Sequence, residues 1–264
     1  MKRPVLELGR AKRSRRAALA AAVALCLAAC SAQAVEGLRF GFESAARFGA
    51  DANTIVMTMR GEVQPGDADR FAQFVAARRE RFIEHGARVV FAVDGGDVLE
   101  ALRIGELLRE ALVEAWLPDA ASSRCISSCF FMYAYSASRS AVAESVGLHR
   151  PYYDSEALTK ASPAAVRASY ESLAAQLRRR MEQLSVPVAL VERMFGLPAG
   201  EVYWLSQLDL EALGRRQAWF EDYLAARCGR LEEHATAAPA ATCIDELLRS
   251  HRKGFVDGLS QDGG

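Results

Sequence analysis

Short apolar runs alternate along this chain with stretches in which apolar residues return every third or fourth position. Thr54–Met59 is β-branched and apolar and predicts a strand. Pro65-Gly66 turns the chain, Asp67 stands where a helix N-cap belongs, and Phe71, Phe74, Val75 and Phe82 form the stripe of one helix reaching about Glu84, closed by His85-Gly86. Arg88–Val93 is a continuous apolar run, as in a strand buried on both faces of a parallel sheet. It ends in Asp94-Gly95-Gly96-Asp97, after which Leu99, Leu102, Leu108 and Leu112 mark the inner side of a helix that Leu117-Pro118 breaks. A short strand before Cys125, a helix from about Ser127 to Ser136 and a strand over Ser145–His149 follow. Ser162-Pro163 caps a long helix over 162–185, with Val166, Tyr170, Leu173, Leu177, Met181 and Leu184 on one side and Arg178–Arg180 on a solvated one. Beyond it come a short helix (Val188–Met194), an extended segment (Val202–Ser206) and a helical segment (Asp209–Arg215). Past Trp219 a helical tail carries an Ala/Pro-rich gap over 235–241, and residues 35–53 are a mixed lead-in. Alternating strands and helices predict an α/β fold with one main domain, 35–217, and a helical C-terminal extension, 218–264.

The first 29 residues stand apart. They carry seven Lys/Arg and one acid, and Ala17–Ala29 is an uninterrupted apolar run of thirteen, which suits a signal-peptide core and is too short for the ~20 residues of a membrane span. Two exits fit. Leu27-Ala28-Ala29-Cys30 resembles a lipobox that would lipidate Cys30, and Ala32-Gln33-Ala34 fits an ordinary cleavage site after Ala34. Ser14-Arg15-Arg16 is an incomplete twin-arginine pattern. Each reading exports the protein to a periplasmic location, with a membrane association only through the lipid anchor, which would make it an outer-membrane-anchored lipoprotein. Taking those charges from the 33 basic and 33 acidic residues leaves 26 against 32, a net of −6, which disfavours nucleic acid as a partner. The remaining composition, 51% hydrophobic and 25% charged, is that of an ordinary globular core.

Export changes how the cysteines read. Cys125, Cys129, Cys228 and Cys243 form an even set in an oxidising compartment, with three possible connectivities, of which the local pairs Cys125–Cys129 and Cys228–Cys243 are the simplest. A zinc site is the rival, though Cys-x3-Cys is an unusual spacing and no His pair accompanies it. No cofactor or metal is expected. Cys125-Ile126-Ser127-Ser128-Cys129 runs directly into the apolar Phe130–Tyr135, placing two serines at a helix N-terminus. Two readings compete there: a plain helix cap, or a nucleophile beside free N–H groups.

In chain order these pieces resemble the Clp-type serine protease subunit and its relatives in the crotonase superfold, most closely the exported, periplasmic Clp-protease-like branch, from about Thr54 to Arg216. Asp94-Gly95-Gly96-Asp97-Val98 falls where that family has Ser-Pro-Gly-Gly-Ser-Val, and Ser127 falls on the nucleophile of its Ala-Ala-Ser-Met-Gly stretch. Val146-Gly147-Leu148-His149-Arg150-Pro151 matches apolar-His-Gln-Pro, and Trp204-Leu205-Ser206 with Asp209–Gly214 looks like the Phe-Leu-Ser…Glu-Ala…Tyr-Gly tail. The resemblance implies a spiral of ββα units around a parallel sheet. It implies Ser127 as nucleophile, His149 as general base, the N–H groups of Gly96 and Ser128 as oxyanion donors, and a peptide or protein substrate in a homo-oligomeric assembly.

Two departures bear on activity. Asp94 replaces the Pro, and the acid that orients the histidine is expected at Val202; Glu201 is the nearest substitute and Asp209 a poorer one. A disulfide between Cys125 and Cys129 would stiffen the nucleophile turn. The expected function is an exported serine hydrolase, a peptidase, with a catalytically weak or inactive peptide- or partner-binding domain as the alternative. Lys160 as a dyad base, a crotonase-type thioester site and Cys129 as nucleophile are lesser readings.

Overall fold

A computed structural model describes residues 37–152, 162–229 and 237–260; the signal segment, Cys30, Ala34 and Lys160 lie outside them. The eight-stranded sheet runs in the order β1-β2-β3-β5-β7-β8, where β1 is Arg39–Ser44, β2 Ile55–Val63, β3 Arg88–Gly96, β5 Arg124–Ile126, β7 Val146–Leu148 and β8 Tyr203–Trp204. β4 (Glu114–Leu117) pairs with β3 and with β6 (Ser138–Ala141). The inner pairings are parallel, and only the edge strands β1 and β8 run antiparallel to their neighbours.

β3 is the hinge of this arrangement. Its first half, residues 88–90, pairs with β4, and Ala92 and Val93 pair with β5, so the sheet turns about one central strand. Val89, Val90, Phe91 and Val93 are all buried there, as the unbroken apolar run requires. The fold class is thus the expected α/β, with helices α1 (Asp67–Ala77), α2 (Arg79–His85), α3 (Val98–Glu110), α4 (Cys129–Tyr135), α5 (Pro163–Gln183), α6 (Val188–Gly196), α7 (Gln207–Leu213), α8 (Ala218–Cys228) and α9 (Ala237–Leu259).

Several boundaries differ from expectation. The helix expected over 67–84 is two, interrupted at Arg78 (φ −122°, ψ 33°). Asp67 is not its cap: Gly66, at φ 91°, takes that place, and the Asp67 carboxylate is fully buried, accepting hydrogen bonds from the Leu38 and Gln64 N–H groups and pairing with Arg70. The helix after Gly96 ends at Glu110, not at Leu117-Pro118, because the chain reverses at Leu112 (φ 54°) into β4. Leu99 points outward, 59% exposed. In α5, Leu177 and Met181 are buried, whereas Tyr170 and Val166, two and three turns nearer its start than Leu177, are half-buried.

The C-terminal helices are joined by the disulfide Cys228–Cys243, and Val256 of α9 is fully buried in the main core. Arg252 of α9 donates through Nε to the Ile83 carbonyl at 3.0 Å, satisfying one of the free carbonyls at the end of α2. None of the described helices is long and apolar enough to cross a membrane.

Candidate active site

Three segments converge at the C-terminal ends of parallel strands, where α/β folds present backbone groups to ligands. The first is the end of β3. Gly95 (φ 111°) and Gly96 (φ 117°) both lie in the left-handed region that side chains avoid. A Cβ on Gly95 would fall 2.7 Å from Ser127 Cβ, so the absence of a side chain is what lets the two turns approach. Asp97 then caps α3, its carboxylate accepting from the Glu100 N–H at 2.8 Å, and its own N–H donates to the Val63 carbonyl of β2 at 2.9 Å.

Ser127 occupies the single residue between β5 and Ser128, which opens α4, at φ 60°. A non-glycine residue there costs about 1–2 kcal/mol, and such conformations concentrate at functional sites. The turn is pinned by the Ser127 N–H donating to the Gly147 carbonyl at 3.0 Å and the Phe130 N–H donating to the Ser127 carbonyl at 2.9 Å. The plain helix-cap reading of the serine pair fails on geometry. Neither hydroxyl accepts from a helix N–H; Ser128 is buried with its Oγ unpartnered, and no acceptor among the described residues takes its backbone N–H. Cys125 and Cys129, both fully buried, are joined as a disulfide around this turn, so the local pairing holds for both cysteine pairs and these four cysteines offer no thiolate for zinc or for catalysis by Cys129.

His149 comes from the next strand. β5 and β7 are parallel with Ile126 opposite Gly147, so the chain leaves β7 at His149 beside the Ser127 turn. Nδ1 of His149 lies 2.9 Å from the Arg150 carbonyl oxygen. A carbonyl only accepts, so in the neutral imidazole this contact puts the proton on Nδ1 and leaves the lone pair on Nε2, the tautomer a general base needs. The imidazole packs on the Tyr152 ring, centroids 5.5 Å apart. Ser127, His149 and Gly96 line one cavity of about 780 Å³, walled by the end of β2 (Glu62–Pro65), the start of α3 and one side of α5 through Ser169, Leu173 and Gln176.

The expected acid is not at the histidine. Val202 packs over Gly147, within 2.8 Å of where a Cβ there would lie. Glu201, the candidate third member, is exposed and makes no ion pair with His149, and it does not line the cavity. Asp209 is engaged elsewhere: its carboxylate accepts from the Tyr203 hydroxyl at 2.7 Å and from the Ser206 hydroxyl and N–H, forming the capping box of α7. Burial works against its ionisation, but the hydrogen bonds from Ser206 and Tyr203 outweigh this and hold the carboxyl below its usual range. A depressed carboxyl contributes stability above its unfolded value and loses it as pH falls through the folded value. Asp209→Ala should therefore cost about 1 kcal/mol at neutral pH, and the difference from the native protein should narrow in thermal melts as pH falls through the folded carboxyl's lowered value.

No family model matches the chain, and no curated protein matches it. Among solved structures, the chain is similar to a serine-to-alanine mutant of the 1510-N membrane-bound stomatin-specific protease, with a TM-score of 0.41 and 11% identity, covering 65% of this chain and 83% of that one. A likeness at that level assigns no activity.

Two features of the site had no sequence signal of their own. The Arg150 carbonyl is backbone, invisible to residue type; only the following Pro151, which biases Arg150 toward an extended conformation, hinted at a fixed geometry. Tyr152, 71% exposed over the imidazole, belongs to no motif of the sequence.

Proposed function

We propose that this chain is an exported serine hydrolase cleaving peptide bonds, with Ser127 as nucleophile and His149 as general base. The observation that carries the reading is Ser127 held at positive φ between strand and helix, sharing a cavity with a histidine whose Nδ1 proton is fixed by a carbonyl. His149 Nε2 accepts the Ser127 Oγ proton as the oxygen attacks the substrate carbonyl. The N–H groups of Gly96 and Ser128 receive the developing oxyanion, and His149 returns the proton to the leaving amine. Water repeats the sequence to release the acyl group. The Arg150 carbonyl orients the imidazole in place of a carboxylate; being neutral, it stabilises the imidazolium less, which favours a slow hydrolase. The paired cysteines support an oxidising compartment.

A second reading, a peptide- or partner-binding domain without turnover, is favoured by one observation: Val202 stands where the acid is expected, and no carboxylate among the described residues pairs with His149. A fluorophosphonate probe separates the two. The mature protein should label, Ser127→Ala should not, and Ser128→Ala should retain labelling, since only its amide is used. Absence of labelling in the native protein across about pH 6 to 9 would sink the hydrolase.

A further inference from the structure

Resting on the hydrolase reading, we infer that the Cys125–Cys129 disulfide is a redox gate on the Ser127 nucleophile: the site is competent oxidised and is switched off when the bond is reduced. The disulfide links the central residue of β5 to the first residue of α4, and the three residues between are Ile126, Ser127 and Ser128, so it closes a ring around the nucleophile and an oxyanion donor. The rest of the local structure supplies little else to hold that turn. The Ser128 side chain does not cap α4, its Oγ has no partner, and α4 is only seven residues long. Ser127 sits in a conformation its backbone would leave if free to do so. With the bond intact, the Cα atoms of Cys125 and Cys129 are 5.1 Å apart and the turn between them has little room to relax. Beside the disulfide, Ser127 is held by two backbone hydrogen bonds, to Gly147 and from Phe130, and by its close approach to Gly95.

The fold itself does not depend on this bond in the same way. Phe130, Phe131 and Met132 are buried in the main core, so α4 stays docked through its apolar side chains after reduction. What changes is the freedom of the five-residue turn. A dithiol reductant attacks one sulfur through its thiolate, forming a mixed disulfide. The second reductant thiol then releases the protein, leaving Cys125 and Cys129 as thiols and the reductant as a cyclic disulfide. Two electrons and two protons pass to the protein. Both sulfurs are buried, so this exchange requires a local opening of the turn. A chain of this kind would be silent while thiols are kept reduced and would gain its nucleophile geometry on oxidation, which confines hydrolysis to the far side of export.

The test uses the mature protein carrying Cys228→Ser and Cys243→Ser, which leaves Cys125–Cys129 as its disulfide. The fluorophosphonate inactivation rate is measured oxidised, after dithiothreitol, and after reoxidation, with near-UV circular dichroism recorded at each stage. The maximal inactivation rate should fall about 10²-fold on reduction, as for a nucleophile displaced by about 1 Å, with the probe's half-saturating concentration little changed and full recovery on reoxidation. A Cys125→Ala/Cys129→Ala variant should match the reduced protein. Equal rates in the oxidised and reduced forms would overturn the gate. So would loss of near-UV signal on reduction, because the bond would then be a staple of the fold. Failure of the oxidised protein to label at all would instead sink the hydrolase reading beneath it.

Discussion

Gly96→Ala should unfold or severely destabilise the domain, by about 3 kcal/mol or more, and abolish probe labelling in whatever folds. Two effects add. The backbone at φ 117° is unfavourable for any side chain, and a Cβ would fall far inside contact distance of the Val63 carbonyl oxygen and 2.7 Å from its nitrogen. Neither partner can yield. Val63 is fully buried at the end of β2, and its carbonyl accepts the Asp97 N–H that starts α3. Gly200 separates the two effects, since it also has positive φ (82°) but a Cβ there meets nothing within 4 Å. Gly200→Ala should cost only about 1 kcal/mol. Urea denaturation of both variants checks the contrast. A Gly96→Ala protein as stable as Gly200→Ala would show that the close approach of β2 and the Gly-Gly turn is misplaced.

Asp67→Ala should cost about 3–5 kcal/mol, chiefly from two amides left without their acceptor. The carboxylate is fully buried and accepts the Leu38 N–H at 2.9 Å and the Gln64 N–H at 2.8 Å, besides pairing with Arg70. Alanine leaves two amides without acceptors, each worth about 1–3 kcal/mol when stranded, while Arg70 is half-exposed and can turn to water. Asn keeps one acceptor oxygen, so Asp67→Asn should lose roughly half as much. The effect reaches the site, because Gln64 and Pro65 wall the cavity. Faster amide exchange at Leu38 and Gln64, with slower probe labelling, is the expected signature. A loss below about 1 kcal/mol in urea titrations would contradict the described role.

The strand that organises the site was legible because burial on both faces leaves an unambiguous mark. Arg88–Val93 could be little else, and the Gly-Gly turn after it announced a conformation that other residues avoid. β1, β4 and β6 were not legible. Ser138–Ala141 reads Ser-Arg-Ser-Ala, with no periodicity, and is held by pairing with β4 and by the buried Arg139, which donates to the Ala134 and Leu213 carbonyls at the ends of α4 and α7. Glu114–Leu117 looked like the end of a helix because nothing local reports the reversal at Leu112. The break at Arg78 left the apolar spacing intact and so left no trace in the pattern.

The site divides the same way. Residue type brought out the two serines and the cysteine bracket, the family resemblance singled out Ser127, His149 and Gly96, and the structure gathers these three around one cavity. What they could not supply was the group behind the histidine. Glu201 and Asp209 are the nearest carboxylates in the sequence, whereas a carboxylate is only one way to fix a tautomer, and a backbone carbonyl, which every residue owns, is not written in side-chain identity.

The most direct measurement is the position of the covalent adduct. Trypsin should release Cys125–Arg139 as a single peptide from fluorophosphonate-treated, reduced and alkylated protein. Fragmentation of that peptide should place the phosphonyl group on Ser127, with Ser128 unmodified. An adduct on Ser128, on a residue outside this peptide, or on none, in protein shown to be folded, would contradict the assignment of Ser127 as the nucleophile.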